Sequence, residues 1–109
     1  MPKLQQGSVV WADLPAPAGR RPVVVLTRDS AIRYLPTVTV APITSTIHGV
    51  PSEVVLSEDD GMKGRCAVNL HNAITVRLQR LGRRVAQLGQ QRMNEVCAAL
   101  RFSLGCEPQ

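Results

Sequence analysis

Aromatic residues are scarce in this sequence, which has one tryptophan, one tyrosine and one phenylalanine among its 109 residues. A hydrophobic core must therefore be built from valine, leucine, isoleucine and alanine, which favours thin, closely packed β-sheet layers. No apolar run approaches the roughly 20 residues of a membrane span, and the N-terminus does not resemble a signal peptide. We therefore expect a cytoplasmic protein without a membrane segment. The length predicts one domain, covering residues 1–109.

Cysteine is also scarce, and its number is odd: the chain has Cys66, Cys97 and Cys106. No Cys-x-x-Cys pair and no Cys/His spacing typical of a zinc site occurs, so we expect reduced thiols and no metal site. A phosphate-cradling glycine loop and a Ser/His/Asp set with recognisable spacing are missing as well. The sequence thus predicts no cofactor, and generic motifs leave the function open.

Basic residues outnumber acidic ones by 13 to 8, giving a net charge of +5, and 11 of the 13 are arginine. The planar guanidinium group suits phosphate better than a lysine point charge does. The balance favours an acidic polymer as a partner, although a solvent-exposed basic surface or an acidic protein partner would give the same count. A domain this small often gains stability by pairing with a second copy, so we expect a homodimer.

Short β-rich segments alternate with turns through most of the chain, and the period changes near the C-terminus. The helical stripe there ends at Gly105 and consists of Met93, Val96, Cys97, Leu100 and Leu104. Strands are predicted at residues 8–14, 22–27, 37–42, 52–56, 65–70, 73–76 and 83–87, with one helical turn at 29–33. We expect a solvent-exposed acidic turn at 58–61 and core positions for Cys97 and Trp11. Several strands followed by one helix indicate a mainly β fold with α: a small, SH3-like, partly closed antiparallel barrel with a C-terminal helix.

Five blocks of the sequence together resemble one known family, the MazF/PemK endoribonuclease toxins of type II toxin-antitoxin systems. The blocks are GSVVWADL at 7–14, GRRPVVVL at 19–26, TVTVAPIT at 37–44, VNLHN at 68–72 and the final helix. The resemblance implies a PemK-type barrel and a metal-independent enzyme that cuts single-stranded RNA at a short sequence motif, leaving 2',3'-cyclic phosphate and 5'-OH ends. It also implies a cognate antitoxin that occupies the same groove as the RNA.

The resemblance carries catalytic roles onto Arg21, which directly precedes a proline, and onto Thr44, which closes the third block. Arg21 would stabilise charge on the phosphorane and Thr44 would donate its hydroxyl hydrogen to the same phosphate. His71 stands where some relatives have an acid-base residue; it either shares proton transfer or is an exposed turn residue without a role. Candidate RNA contacts are Trp11, Arg20, Thr46, His48 and Asn72. The alternative is a core role for Trp11, which we favour, and a solvated loop role for Arg20 and for His48, which we favour for His48.

The main alternative is a toxin that has the same fold but no ribonuclease activity. Gyrase-poisoning toxins of the CcdB type share the barrel but trap a protein partner and cut nothing, so the fold alone does not separate the two classes. A passive RNA-binding barrel and a relative without activity stay open as well. The presence of both Arg21 and Thr44 in their family contexts favours the ribonuclease.

Overall fold

The structure is a computed structural model that describes residues 4–106. It contains seven strands, two helices and three single 3-10 turns. The strands are β1 Ser8–Asp13, β2 Arg20–Val25, β3 Thr37–Thr44, β4 Glu53–Leu56, β5 Cys66–Asn69, β6 Ile74–Arg77 and β7 Leu81–Gln87. The helices are α1 Asp29–Ile32 and α2 Gln90–Leu104, and the 3-10 turns are Glu58–Asp60, Leu70–Asn72 and Leu78–Arg80. No helix among residues 4–106 is long and apolar enough to cross a membrane.

All seven strands belong to one antiparallel sheet with the order β4-β5-β3-β2-β1-β7, and β6 pairs with β3 beside this path. Strand β3 is the centre of the sheet. One of its edges pairs with β2, while the other is shared by β6 along residues 37–40 and by β5 at residues 43–44. Within the described part of the chain the sheet does not close on itself. The predicted partly closed antiparallel barrel with a C-terminal helix is confirmed.

The sheet is apolar on both faces because β-branched residues occupy consecutive positions of its central strands. Since side chains alternate between the two faces of a strand, Val9 and Val10 belong to different cores. The first core lies under helix α2 and includes Val96 and Ala99 of that helix. The second core lies on the opposite face and includes Ile32 of α1. The groove described below opens at the end of this second face.

Two strands differ from their predicted bounds, and both pass through a proline: β2 keeps its predicted length but is shifted towards the N-terminus, and β3 is longer than predicted. Strand β2 begins at Arg20, before Pro22, and β3 continues past Pro42 to Thr44. Proline lacks the backbone N–H of a ladder hydrogen bond, which is why a strand is expected to stop there. Here Pro42 is buried opposite Val23 in the β2–β3 register, so pairing on either side of the proline keeps the strand extended.

The acidic turn is not simply exposed, in contrast to the prediction. Ser57 and Asp60 form a capping box around it, and Asp60 also accepts a hydrogen bond of 2.9 Å from Nε of Arg92 on α2. Only 10% of the Asp60 side chain is exposed. Burial by itself would raise the pKa of Asp60, but the hydrogen bonds from Arg92 and from the Ser57 backbone outweigh it and lower the pKa. The turn therefore ties β4 to the C-terminal helix.

The predicted apolar stripe of helix α2 faces the core over most of its length but not at the C-terminal end of the helix. Val96 is buried and Met93 and Leu100 pack on the first core, but Leu104 is 67% exposed because the sheet does not cover the last turn of α2. Cys97, expected in the core, is only half-buried. The buried thiol is that of Cys66, whose pKa is raised by burial and further by the negative charge of Asp60.

Candidate functional site

A groove of about 600 Å³ opens on the sheet face opposite helix α2. One wall is the loop at residues 14–18, between β1 and β2. The floor and the other wall come from the ends of β2, β3 and β5 and from the segments that follow β3 and β5. The polar side chains that line it are those of Arg21, Thr44, Thr46, His48, Asn69 and Asn72. Five of these six residues were candidates from the sequence.

Arg21 and Thr44 meet because of the strand register. The β2–β3 ladder pairs Val24 with Ala41 and Val23 with Pro42, so two further steps place Arg21 opposite Thr44. Side chains directly opposite each other on an antiparallel pair share a face, with Cβ atoms about 4.5–5.5 Å apart. A guanidinium group and a hydroxyl group are therefore presented together at the groove.

The Arg21 side chain is held by the loop that it borders. Its Nε donates a hydrogen bond of 3.0 Å to the carbonyl oxygen of Ala18, and the backbone N–H of Leu14 closes the loop with a 3.0 Å bond to the carbonyl of Gly19. Within residues 4–106 the terminal nitrogens of Arg21 form no hydrogen bond. Their N–H groups are thus available to an anionic ligand in a fixed direction.

The Thr44 hydroxyl is oriented by the turn that follows it. The backbone N–H of Thr46 donates a 3.1 Å hydrogen bond to Oγ1 of Thr44. Because the oxygen already accepts this bond, its own hydrogen can be directed at a ligand in the groove. The same turn brings Thr46 to the groove lining.

His48 reaches the groove on a loop that a carboxylate organises. Oε1 of Glu53 accepts hydrogen bonds from the backbone N–H groups of His48, at 3.0 Å, and Gly49, at 2.9 Å. Gly49 has a φ of +71°, a left-handed conformation that glycine adopts without strain. Glu53 was not predicted from the sequence, because its contact runs back to N–H groups four and five residues earlier and matches no common local turn motif.

His71 lies outside the groove lining, whereas its neighbour Asn72 lies within it. Both belong to the 3-10 turn that follows β5, where successive side chains point in different directions. Nδ1 of the exposed His71 is 2.6 Å from Oγ of the buried Ser52. This contact fixes the imidazole ring beside the groove, and the acid-base role of His71 stays a prediction.

Trp11 and Arg20 form a separate feature away from the groove. The Arg20 guanidinium carbon lies 5.6 Å from the centre of the Trp11 ring, and Arg20 also pairs with Asp13 at 3.1 Å. The expectation that Trp11 is a core residue is wrong: it is half-buried and belongs to neither core. Its neighbours are Arg20 and the backbone of Gly82, where an added Cβ would lie 3.6 Å from the Trp11 Cβ.

Asn69 is the groove residue that sequence reasoning did not single out. It ends β5, is 9% exposed and lines the groove. Its Oδ1 is buried and has no hydrogen-bond partner among the described residues. A single asparagine in an apolar segment gives no signal of its own, because its burial depends on strands distant in sequence.

Among residues 4–106, no three His, Cys, Asp or Glu side chains are grouped so that they could bind a metal ion. The basic residues near β7 are exposed and do not line the groove. They are Arg77, Arg80, Arg83 and Arg84. Arg21 is thus the one arginine or lysine among residues 4–106 that lines the groove.

Comparison with known proteins gives a consistent result. The family model described as "PemK-like, MazF-like toxin of type II toxin-antitoxin system" matches residues 5–104. "Probable endoribonuclease MazF5" of Mycobacterium tuberculosis is 44% identical over 102 residues, which cover 93% of each chain. The structure of "Mycobacterium tuberculosis toxin MazF-mt6" superimposes with a TM-score of 0.83 at 30% identity, covering 90% of this chain and 96% of that one.

A third likeness shows the fold alone, since its sequence identity is 24%. It is "Endoribonuclease in complex with its cognate antitoxin from Mycobacterial species", with a TM-score of 0.87 over 98% of this chain and 100% of that one. The likeness covers the sheet and the C-terminal helix together.

Proposed function

The chain belongs to the PemK-like, MazF-like toxins of type II toxin-antitoxin systems, and from that membership we propose that it is a sequence-selective endoribonuclease acting on single-stranded RNA. Relatives that it matches at 37% and 44% identity are named endoribonucleases. The observation that carries the proposal is the meeting of Arg21 and Thr44 in one groove. A gyrase poison with the same barrel needs neither side chain at that place.

The proposed reaction is an internal transfer within the RNA. The 2'-oxygen of a ribose forms a bond to the adjacent phosphorus, and the bond from phosphorus to the 5'-oxygen of the next nucleotide breaks. A proton leaves the 2'-OH and a proton joins the departing 5'-oxygen, so the products are a 2',3'-cyclic phosphate and a 5'-OH end. Neither water nor a metal ion is consumed in this step.

Negative charge grows on the phosphorane oxygens along this path, and that is where Arg21 acts. A cation whose direction is fixed before the reaction stabilises the transition state more than the ground state. The Nε bond to Ala18 supports that fixation, and the terminal N–H groups would donate to the phosphate. Thr44 adds a hydroxyl donor to the same phosphate, oriented by the Thr46 amide.

We assign proton transfer to a group other than Arg21, because a guanidinium group carries only N–H donors and has no free lone pair with which to accept a proton. Two imidazole rings lie at the site: His48 lines the groove, and His71 is fixed at its border by Ser52. Imidazole is the side chain best suited to proton transfer near neutral pH. We assign the transfer to this pair of histidines, with His48 in the better position.

RNA recognition and inhibition follow from the same groove. Thr46 and Asn72 offer hydrogen-bonding groups to unpaired bases, whose edges are accessible only in single-stranded RNA. The antitoxin, a separate protein, would compete by occupying the groove along the loop at residues 14–18. We further propose that the whole chain forms one toxin domain, assembles as a homodimer and works in the cytoplasm.

The decisive experiment incubates the purified protein with a long unstructured RNA in EDTA and maps the new ends, with Arg21→Ala as the matched variant. Discrete cuts with 5'-OH ends, reduced about 100-fold to 1000-fold in Arg21→Ala, are expected. Intact RNA from a folded wild-type protein would contradict the proposal and leave a gyrase-type poison or a protein without nuclease activity.

A further inference from the structure

Two oxygen atoms next to the groove are buried and have no hydrogen-bond donor among the described residues: Oδ1 of Asn69 and Oε2 of Glu53. The other carboxylate oxygen of Glu53, Oε1, accepts hydrogen bonds from the backbone N–H groups of His48 and Gly49. A buried acceptor without a donor carries a free-energy penalty, and buried polar groups are nearly always paired. Two unpaired acceptors at one place therefore require an explanation.

The two residues are direct cross-strand neighbours, since the β4–β5 register pairs Glu53 with Asn69. The N–H of Leu70 donates to the carbonyl of Ser52 at 2.9 Å, so Ser52 and Leu70 are a hydrogen-bonded pair. Pair types alternate along an antiparallel ladder, which makes Glu53 and Asn69 a non-hydrogen-bonded pair. In such a pair the Cα atoms are about 4.5 Å apart and the side chains lie side by side on one face.

The chemistry of the two side chains is complementary in one orientation only. A carboxylate only accepts hydrogen bonds, whereas a carboxamide accepts at one end and donates at the other. A half-turn about the Cβ–Cγ bond of Asn69 exchanges Oδ1 and Nδ2 within the same volume. Nδ2 can then donate to Oε2 of Glu53, and Oδ1 moves to the side that lines the groove. Both unpaired acceptors then have a donor: Oε2 of Glu53 accepts from Nδ2 of Asn69, and Oδ1 of Asn69 accepts from a ligand in the groove.

We propose that Asn69 is a specificity-determining residue, held through Nδ2 by Glu53, whose Oδ1 accepts a hydrogen bond from the amino group of an RNA base next to the cleaved phosphate. The proposal rests on the ribonuclease function proposed above. It favours adenine, cytosine or guanine over uracil at one position, because only the first three carry an exocyclic amino group and the single N–H of uracil is flanked by two carbonyl oxygens that weaken its contact with the acceptor.

The position of that base relative to the cut follows from the β3–β5 register. Thr44 pairs with Ala67, so Asn69, two residues further along β5, is the diagonal neighbour of Thr44. Diagonal neighbours in an antiparallel pair are about 7–8 Å apart. Thr44 contacts the phosphate in the proposed reaction. A base read by Asn69 therefore belongs to one of the two nucleotides that this phosphate joins, and not to a more distant part of the motif.

The test compares cleavage motifs on a pool of unstructured RNA with random sequence, by sequencing the 5'-OH ends. Asn69→Leu keeps the size of the side chain and removes both hydrogen-bonding ends, while Asn94→Leu makes the same change on the exposed surface of α2 as a control. Wild type should prefer amino-bearing bases at one position beside the cut. In Asn69→Leu that preference should fall on the order of 10-fold, with the rest of the motif retained. Asn94→Leu should match wild type.

Glu53→Gln is the second variant, since it retains the size of the side chain and the Oε1 acceptor of the His48 loop but replaces the Oε2 acceptor by an Nε2 donor, which would draw Oδ1 of Asn69 away from the groove. It should weaken the preference at the same position and at no other. An unchanged motif in folded Asn69→Leu or folded Glu53→Gln overturns the proposal, as does a uniform loss of rate at every site. A wild-type protein that cuts no RNA overturns the ribonuclease function first, a result distinct from cleavage with an unchanged motif.

Discussion

Removal of the ion pair between Asp60 and Arg92 is expected to loosen the acidic turn from helix α2. The pair is 2.9 Å long, and its side chains are 10% and 32% exposed. A hydrogen bond between charged groups contributes about 1.5–3 kcal/mol when shielded, and the partial exposure of Arg92 reduces this. We expect Asp60→Asn to lower the free energy of unfolding by about 1 kcal/mol. In a domain of this size the Tm falls by about 4–8 °C.

A double-mutant cycle isolates the pair from other effects of the substitutions. Asp60→Asn, Arg92→Met and the double variant are unfolded in urea beside Asp59→Asn, which changes an exposed carboxylate on the same turn. The coupling energy between the two positions should be close to 1 kcal/mol, and Asp59→Asn should unfold like wild type. A coupling energy below about 0.3 kcal/mol would refute the reasoning, because independent sites show no more than that.

The pH dependence of the same variant has a defined sign. The pKa of Asp60 is lowered in the folded state, with burial outweighed by the hydrogen bonds from Arg92 and the Ser57 backbone. Stability from this group is therefore present above the unfolded pKa of about 3.9 and is lost as the pH falls through the lower folded value. The Tm difference between wild type and Asp60→Asn should be constant from neutral pH to about pH 5 and shrink below pH 4. A difference that persists in acid would assign the effect to shape instead of charge.

Further predictions concern the groove and one turn. Thr44→Val removes the hydroxyl at constant shape and should lower the cleavage rate about 100-fold, measured with one RNA oligonucleotide; an unchanged rate would remove Thr44 from the mechanism. His48→Ala should flatten the pH-rate profile more than His71→Ala, because His48 lines the groove; the reverse order would transfer the proton step to His71. Gly61→Ala should lower the free energy of unfolding by about 1–2 kcal/mol in urea, since Gly61 has a φ of +90° and its Cβ would meet Ala86 at 3.0 Å. An unchanged urea midpoint would show that the turn relaxes.

The sequence was sufficient for the strands because their signal is local. Runs such as residues 22–27 and 37–42 are rich in β-branched residues, which pack well on a pleated sheet. Their ends were less predictable. Pro42 was expected to end β3, yet the strand continues, because hydrogen bonds to other strands maintain the extended backbone where local preference is against it. The end matters, since Thr44 lies in that continuation.

The candidate site was predicted where the family resemblance assigns a role to a residue; Asn69 lies in the block at 68–72 but received no role, because its burial depends on distant strands. Arg21 and Thr44 stand in recognisable blocks, and the structure brings them into one groove. Asn69 and Glu53 face each other only after β4 and β5 have paired. No local pattern distinguishes a buried asparagine from an exposed one. The core position predicted for Trp11 was wrong for a similar reason, because its neighbours Arg20 and Gly82 meet it only through the pairing of β1 with β2 and β7.

Strand β3 is held by three neighbours at once, and this fixes the register that places Thr44 in the groove. A shift of β3 by one residue would turn Thr44 to the helix side and bury a different set of side chains. Such a shift would disturb the ladders with β2, β5 and β6 together, so three independent registers oppose it. The position of Thr44 in the groove is therefore specified by the pairing of the whole sheet and not by its own loop.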